Sequence, residues 1–282
     1  MGSKRQALPF WEPRKKVTCD PLFIQKIMTL TLTPLPGIPL IHPGADLAQV
    51  VLQAVQRADI RLQEADILVF AQKIVSKAEG RLVNLVEVTP SPRAVELSES
   101  IGKDARLIEL ILKESKEVLR TRPGTIIVEH RLGFVCANAG IDHSNVAGEA
   151  DSQDEWVLLL PEDPDASATE LRRRFEEASG VKLGVMIIDS HGRAWRNGTV
   201  GVAIGLSGLP GLVDLRGQAD LFGFRLRITQ VGAADELAAG ASLVMGQAAE
   251  ATPVVHVRGF PYTLREASFG ELVRPLDQDL FR

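Results

Sequence analysis

The sequence contains few cysteines, few aromatic residues and no excess of positive charge, and each shortage argues against a class of protein. Only Cys19 and Cys136 occur in 282 residues, with no C-x-x-C pair, which argues against a disulfide framework and a cysteine-rich zinc site. This usage is typical of a reducing cytoplasm, where we expect the protein to act. A net charge of −4 and an aromatic content of 5% argue against nucleic-acid binding.

Long apolar runs are also missing. No run is long enough to span a membrane, so we expect no membrane anchor. Near the N terminus, Gln25 and Lys26 interrupt the apolar stretch, and we therefore expect no signal peptide. Residues 1–30 are predicted to form an N-terminal extension whose apolar content favours partial order, and residues 31–282 are predicted to form the main domain.

The standard nucleotide-binding motifs are absent as well. There is no G-x-x-x-x-G-K-[ST] segment, and the glycine-rich segment at 205–211 has Pro210 where a dinucleotide fingerprint needs the start of a helix. A flexible turn is the favoured interpretation of that segment. Strand and helix patterns alternate irregularly, which predicts an α+β (mixed α/β) chain with irregular mixed sheets rather than a P-loop or Rossmann fold.

Hydrophobic periodicity predicts the individual elements. The predicted strands are 31–35, 66–70, 125–129, 132–137, 156–160, 184–188, 200–206, 224–229 and 254–257. The predicted helices are 45–57, two short helices within 92–118 that break near Gly102-Lys103, 165–179 and 233–246. The strands at 125–129 and 132–137 are expected to form a hairpin around His130-Arg131.

Two polar clusters each follow an apolar strand. Residues Asn138–Asn145 contain Asp142, and residues Asp189–Arg193 begin with Asp189, each aspartate lying where a strand is predicted to end and a glycine-containing loop to begin. A rigid sheet would hold both carboxylates at one edge, where a hard cation and the phosphates it bridges can bind. The alternative is that each aspartate caps a turn or a helix.

A third polar element, Val75–Arg81, follows the apolar run at 67–70. Lys77 would supply a compact positive charge to a phosphate, and Glu79 would either neutralise that lysine or face water. Taken alone, this element is more typical of an ordinary solvated turn. Together with the two aspartate clusters, it favours a nucleotide–metal site.

Eight segments in order extend this pattern over most of the chain. They are Gly37–Ile41, Ser76–Gly80, Asn138–Asn145, Leu171–Arg174, Asp189–Arg193, Gly201–Gly205, Ala234–Ala238 and Val257–Gly259. With these segments the chain resembles the coenzyme F-420:gamma-L-glutamate ligases, which attach glutamate to a deazaflavin coenzyme precursor. The resemblance implies that residues 31–282 form a GTP- and divalent-metal-dependent ligase. It would add L-glutamate, then gamma-linked glutamates, through an acyl phosphate, and would act as an intertwined homodimer.

The resemblance also implies roles for individual residues. The implied metal ligands are Asp142, Asp189, Ser190 and Gln247. The implied nucleotide-binding residues are Ile38, Pro39, Leu40, Ile41, Gln72, Lys73, Lys77 and Asn145, and segment 246–253 would lie near the phosphates. Asp142, Asp189 and Lys77 would act in catalysis. Oxygen ligands of this kind suit Mg²⁺ or Mn²⁺, and a monovalent cation such as K⁺ is a further candidate.

Other polar residues near these clusters have simpler explanations beside a functional one. His143 and His191 flank the proposed ligands and either exchange protons or are exposed loop residues, the second being favoured. Arg193 and Arg196 either bind a phosphate or carboxylate of the acceptor or form a surface pair beside Trp195. The triplet at 172–174 is expected to form a solvated helix face. Asp235 and Glu236 are explained by capping of the helix that follows.

Two other functions remain open at this point. One is a ligase of the same fold that joins a different acid and amine, because the sequence does not assign the acceptor pocket. The other is a nucleotide-binding regulatory protein without turnover, against which the presence of Asp142, Asp189 and Lys77 argues.

Overall fold

The computed structural model describes residues 29–146 and 155–279. The predicted extension at 1–30 therefore lies outside the described residues, apart from positions 29 and 30. A five-stranded mixed sheet has the strand order β1-β12-β2-β8-β9, in which β2 and β8 are parallel and the other neighbours antiparallel. Its strands are β1 (Thr31–Pro34), β2 (Ile67–Ala71), β8 (Gly184–Arg193), β9 (Arg196–Ser207) and β12 (Val254–Arg258).

Helices cover both faces of this sheet because side chains alternate along the buried strands. Leu68 and Phe70 of β2 face a core shared with α1 (Leu47–Arg57) and α5 (Pro164–Ser179). Ile67 and Val69 face the opposite core, which contains the apolar side of α6 (Ala233–Met245). Within residues 29–146 and 155–279, no helix has the length and apolar character needed to cross a membrane.

Smaller sheets pack beside the main one. The antiparallel sheet β4-β5-β6 shares a third core with helices α3 and α4, and short two-stranded sheets join β3 to β7 and β10 to β11. The remaining bounds are α2 (Gln72–Ala78), β3 (Leu82–Asn84), α3 (Pro92–Ile101), α4 (Ala105–Lys113), β4 (Ser115–Arg122), β5 (Thr125–His130), β6 (Val135–Ala137), β7 (Trp156–Leu158), β10 (Val213–Asp214) and β11 (Gln230–Val231). The α+β prediction is confirmed.

Several details of the predicted elements were wrong. The second helix of the 92–118 segment ends at Lys113, and β4 (Ser115–Arg122) follows it as a strand paired with β5. Segment 224–229 lies between β10 and β11 and is not a strand. The turn predicted to contain Lys77 is helix α2. Strand β8 continues past Ile188 to Arg193, so Asp189 lies within the strand rather than at its end.

A close approach between β9 and α6 requires glycine at position 201. A Cβ atom added there would lie 2.5 Å from the Ala238 carbonyl oxygen and 2.5 Å from Ser242 Cβ. Because the backbone carbonyl cannot move independently of the helix, Gly201→Ala is expected to lower the free energy of unfolding by about 1–3 kcal/mol. Urea unfolding measures this change. Gly192→Ala on β8 is the matched control, since a Cβ there meets nothing within 4 Å and no loss is expected.

Asp66 directly precedes β2, at the end of that strand opposite Ala71. Its buried carboxylate accepts hydrogen bonds from Arg258 Nη2 (2.7 Å), Arg258 Nε (2.9 Å) and the Gln63 backbone N–H (2.8 Å), and His256 Nε2 lies 2.8 Å away. Burial alone would raise the pKa of Asp66, but the hydrogen bonds from Arg258 and His256 outweigh it and lower the pKa from 3.8 to about 2. The ionised carboxylate therefore stabilises the folded state.

This shift predicts a specific dependence of stability on pH. The contribution of Asp66 is fully present above the unfolded pKa of 3.8 and is lost as the pH falls toward the folded value of about 2. The expected size is roughly 2 kcal/mol, because one pKa unit corresponds to about 1.4 kcal/mol. Urea unfolding of the wild type at a series of pH values from neutral to acid measures it. In Asp66→Asn that component is expected to disappear from the acid range, and an identical pH profile in the two proteins would contradict the assignment.

Candidate functional site

A cleft of about 870 Å³ opens where β2 ends and β8 leaves the core. Every residue predicted to bind the metal or the nucleotide lies on its wall. These residues are Ile38, Pro39, Leu40, Ile41, Gln72, Lys73, Lys77, Asp142, Asn145, Asp189, Ser190 and Gln247. The segments that contribute them are separated by up to two hundred residues in sequence, so the fold creates this grouping.

Asp142 is held in the cleft by its backbone and by two side chains of α2. Its backbone N–H and carbonyl both bond to Leu158, at 3.0 and 2.9 Å. Its carboxylate accepts a hydrogen bond from Gln72 Nε2 (2.6 Å) and lies 2.5 Å from Lys73 Nζ. Ser76 Oγ donates to Gln72 Oε1 (2.9 Å), which fixes the amide with its NH₂ group toward the aspartate. Gln72 and Lys73, the first two residues of α2, thus both contact the same carboxylate oxygen of Asp142.

Asp142 and Asp189 are two partly buried carboxylates that influence each other across the cleft. Burial raises the pKa of Asp142, and the charge of Asp189 raises it further against the opposing effect of Lys73. Burial would also raise the pKa of Asp189, but His191, whose Nε2 lies 3.0 Å from Asp189 Oδ2, outweighs it and lowers that pKa. The two carboxylates line one cleft, and their oxygen atoms are of the kind that a hard divalent cation takes as ligands.

Ser190 and Gln247 present neutral oxygen atoms beside these carboxylates. Ser190 Oγ donates to Gln247 Oε1 (2.9 Å), and Gln247 Nε2 donates to Ser242 Oγ (2.9 Å) on α6. The second hydrogen bond leaves the amide oxygen, rather than the NH₂ group, facing Ser190. The chain therefore fixes one hydroxyl and one amide oxygen on the wall of the cleft that Asp189 also lines.

Lys77 and Asn145 link α2 to the far wall of the cleft. Lys77 Nζ donates to the Asn145 carbonyl oxygen (2.6 Å), and Asn145 Nδ2 donates to the Ala248 carbonyl oxygen (3.1 Å). Burial lowers the pKa of Lys77, and the charge of Lys73 adds to that effect. Within residues 29–146 and 155–279, Lys77 forms no ion pair with a carboxylate, whereas Lys73 is paired with Asp142. The ammonium group of Lys77 is thus the one with charge left for an anionic ligand.

The segment after β1 supplies an apolar wall. Ile38 and Ile41 are buried in the core beneath the cleft, while Leu40 is 76% exposed beside them. The buried isoleucines anchor the loop, and the exposed Leu40 leaves an apolar side chain available to a ligand. Segment 246–253, which the resemblance places near the phosphates, also lines the cleft.

The histidines and arginines for which the sequence left both a functional and an ordinary surface role open differ in position. His143 and His191 line the cleft, whereas Arg193 and Arg196 lie outside it on an exposed hairpin. Asp235 does not cap α6 but accepts a hydrogen bond from the Ala203 backbone N–H (3.0 Å) on β9.

Four polar residues, the arginines of the 172–174 triplet and Glu79, make contacts outside the cleft. Each arginine of the 172–174 triplet is paired with a carboxylate. The predicted solvated face was wrong for Arg172, whose side chain is only 16% exposed and also donates to the Leu183 carbonyl oxygen (3.0 Å). Glu79 neither neutralises Lys77 nor faces water alone, because it accepts hydrogen bonds from Ser167 Oγ (2.5 Å) and the Glu162 backbone N–H (3.3 Å).

Sequence reasoning missed Thr199 and Ser242 as parts of the cleft wall. Thr199 lies opposite Gly192 in the ladder between β8 and β9, so its place follows from a strand register that no local pattern predicts. Ser242 lies on the helix side that faces Gly201, where small residues allow β9 to approach.

The donor set fits a hard divalent cation. Among residues 29–146 and 155–279, no group of three or more His, Cys, Asp or Glu side chains is arranged to hold a metal ion. The cleft instead offers two carboxylates, one hydroxyl and one amide oxygen. Mg²⁺ usually takes one or two protein carboxylates and completes its shell with water and substrate phosphates, so this smaller set suffices.

Comparisons with known proteins point to one family. Residues 37–259 match the family described as F420-0:Gamma-glutamyl ligase. A coenzyme F420:L-glutamate ligase of Methanothermobacter thermautotrophicus is 46% identical over 257 residues, covering 90% of this chain and 100% of the relative. The enzyme of the same name from Methanopyrus kandleri is 46% identical over 90% of this chain and 98% of its own length. That of Archaeoglobus fulgidus is 42% identical over 90% and 97%.

Proposed function

Because the chain belongs to the F420-0:Gamma-glutamyl ligase family, we propose that it joins L-glutamate to the deazaflavin precursor of coenzyme F420 in a reaction that consumes GTP and needs a divalent cation. The observation that carries this proposal is that Asp142, Asp189 and Lys77 line one cleft, where Lys77 forms no ion pair with a carboxylate of the described residues. Further glutamates would be added through gamma linkages at the same site.

Amide formation in water is unfavourable unless the carboxylate is activated first. In the proposed reaction the terminal phosphoryl group of GTP passes to the acceptor carboxylate, which gives an acyl phosphate and GDP. The amine of glutamate then attacks the acyl carbon, the amide bond forms, and phosphate leaves with the bond electrons while the amine loses its proton. Phosphoryl transfer of this kind depends on positioning and charge rather than on a protein nucleophile.

The nucleotide would bind between α2 and the segment after β1. Lys77 would contact a phosphate oxygen, because it lines the cleft and has no carboxylate partner in the part of the chain that the structure describes. Asn145 would hold its loop and the 246–253 segment together through the bond to Ala248, and Ile38–Ile41 would contact the nucleotide through backbone and apolar groups. Gln72 and Lys73 would act through Asp142, which both contact.

Asp142, Asp189, Ser190 and Gln247 would hold Mg²⁺ or Mn²⁺, which would neutralise charge on the phosphate oxygens during transfer. Lys73 would leave Asp142 when the cation binds, since both compete for the same carboxylate oxygen. A monovalent cation such as K⁺ is a further candidate at the phosphates.

We also propose that two copies of the chain form an intertwined homodimer. The segment between β10 and β11 supports this, because Leu221, Phe222 and Ile228 are exposed there and form an apolar surface without a partner in the described chain. Sedimentation at micromolar concentration tests it, with a monomer mass as the contradicting result.

Phosphate release tests the function against its alternatives. With GTP and Mn²⁺ present, release is expected only when both the F420 precursor and L-glutamate are added. Release that another acid or amine supports equally well would indicate a ligase with a different substrate pair. Tight GTP binding without release under any combination would indicate a nucleotide-binding protein without turnover.

A further inference from the structure

The hairpin that joins β8 to β9 carries an unusual group of exposed side chains at its tip. The turn consists of Ala194 and Trp195, and Arg193 pairs with Arg196 across the ladder. Trp195 is 89% exposed and has a φ of +64°, a left-handed conformation that glycine normally occupies. A bulky residue in this region carries backbone strain that glycine would not. Nothing among residues 29–146 and 155–279 packs on the ring to offset that strain.

The two arginines beside Trp195 have no carboxylate partner among the described residues. Within the described ranges, neither Arg193 nor Arg196 forms an ion pair, and the one bond of Arg193 is a long contact of 3.4 Å to the Asn197 carbonyl oxygen. By contrast, the arginines of α5 are all paired with carboxylates. An exposed indole flanked by two unpaired guanidinium groups recognises a planar aromatic ring that carries an anionic group.

The hairpin continues directly from the cleft. Gly192 and Thr199, which are partners in the ladder, both line the cleft, and the arginine pair is the next pair outward. Arg193 lies four residues beyond Asp189 on the same strand, which is about 13 Å at the usual rise of 3.3 Å per residue. A single extended ligand can therefore reach from the carboxylates to the tip.

The strand order separates this hairpin from the proposed nucleotide site. The segment at 38–41 follows β1 at one edge of the sheet and Lys77 follows β2, whereas β9 forms the opposite edge. We propose that Trp195, Arg193 and Arg196 form the subsite for the ring-bearing, anionic end of the acceptor, whose carboxylate reacts near Asp189. This inference rests on the proposed function, because it assigns the acceptor of that same reaction.

Trp195→Gly tests the subsite with little risk to the fold, because glycine adopts the positive φ without strain. The KM for the F420 precursor is expected to rise about tenfold or more, since stacking on an aromatic side chain is worth about 1–3 kcal/mol. The kcat and the KM values for GTP and glutamate are expected to stay unchanged. Val86→Ala is the control, because Val86 is an exposed apolar residue (67%) that does not line the cleft, and its KM values should not change.

A second measurement is independent of turnover. Equilibrium dialysis of the F420 precursor, without GTP or metal, is expected to show weaker binding to Trp195→Gly and to Arg193→Gln/Arg196→Gln than to the wild type. Unchanged precursor affinity and KM in both variants would overturn the proposal. If the KM for GTP rose instead, the indole of Trp195 would be assigned a contact with the guanine base rather than with the precursor. A change in oligomeric mass with unchanged KM values would assign it to an interface between copies. Absence of wild-type turnover with normal dialysis results would contradict the proposed function and leave the subsite supported.

Discussion

Asp142→Asn is expected to lower kcat roughly a thousand-fold or more while the melting temperature stays the same or rises, because the change removes a cation ligand but keeps the size of the side chain. Burial and the charge of Asp189 raise the pKa of Asp142, which means that its ionised form is unfavourable in the folded protein. A neutral amide relieves that repulsion, and Lys73 keeps a second acceptor in the Ser144 carbonyl oxygen. Loss of activity with retained stability is typical of a residue that serves activity rather than the stability of the fold.

Initial rates of product formation and thermal unfolding measure the two parts of this prediction. Asp214→Asn is the matched control, because Asp214 is an exposed aspartate paired with Arg216 outside the cleft and should keep full activity. Near-normal turnover by Asp142→Asn would show that this carboxylate does not hold the cation. A large fall in melting temperature would instead indicate that Asp142 serves the fold.

The two lysines of α2 are expected to respond in opposite ways when each is replaced by methionine. Lys77→Met should lower kcat/KM for GTP about a hundred-fold, because it removes the ammonium group that has no carboxylate partner. Lys73→Met should tighten Mn²⁺ binding in the absence of nucleotide by about tenfold, because it removes the group that competes for Asp142. The same substitution at neighbouring turns of one helix makes each variant the control for the other.

Mn²⁺ titration and steady-state kinetics distinguish these outcomes. Weaker Mn²⁺ binding in Lys73→Met would indicate that Lys73 positions Asp142 for the cation rather than competing with it. An unchanged KM and kcat for GTP in Lys77→Met would remove Lys77 from the nucleotide site. Both variants should retain the fold, since both side chains lie at the cleft rather than in a core.

The main sheet and its helices were predictable because their patterns are local. Asp46 accepts a bond from the Gln49 backbone N–H at the start of α1, and Gly180 ends α5 in the left-handed conformation, so short-range interactions mark both helix ends. Strand β4 was not predictable, because its charged residues continue the composition of the preceding helix and only pairing with β5 makes them a strand. The same holds for the outer half of β8, which leaves the core after Ile188 and is held by β9 alone.

The candidate site was predictable as a set of residues but not as a set of contacts. The resemblance placed Asp142, Asp189 and Lys77 together, and the fold brings them to one cleft. That Lys73 pairs with Asp142 while Lys77 does not depends on the helix α2, whose short pattern after β2 resembles a turn. The hydrogen bond from Ser190 to Gln247 joins residues 57 positions apart, and no local pattern contains that information.

The central claim is that this chain joins glutamate to the F420 precursor at the expense of GTP. Mass spectrometry of the precursor after incubation with the protein, GTP, L-glutamate and Mn²⁺ tests it most directly, with Asp142→Asn as the inactive control. A mass increase of one or more glutamyl units, seen with the wild type and only when GTP is present, is the predicted result. No increase with the wild type, while GTP binding is demonstrated in the same sample, would contradict the claim.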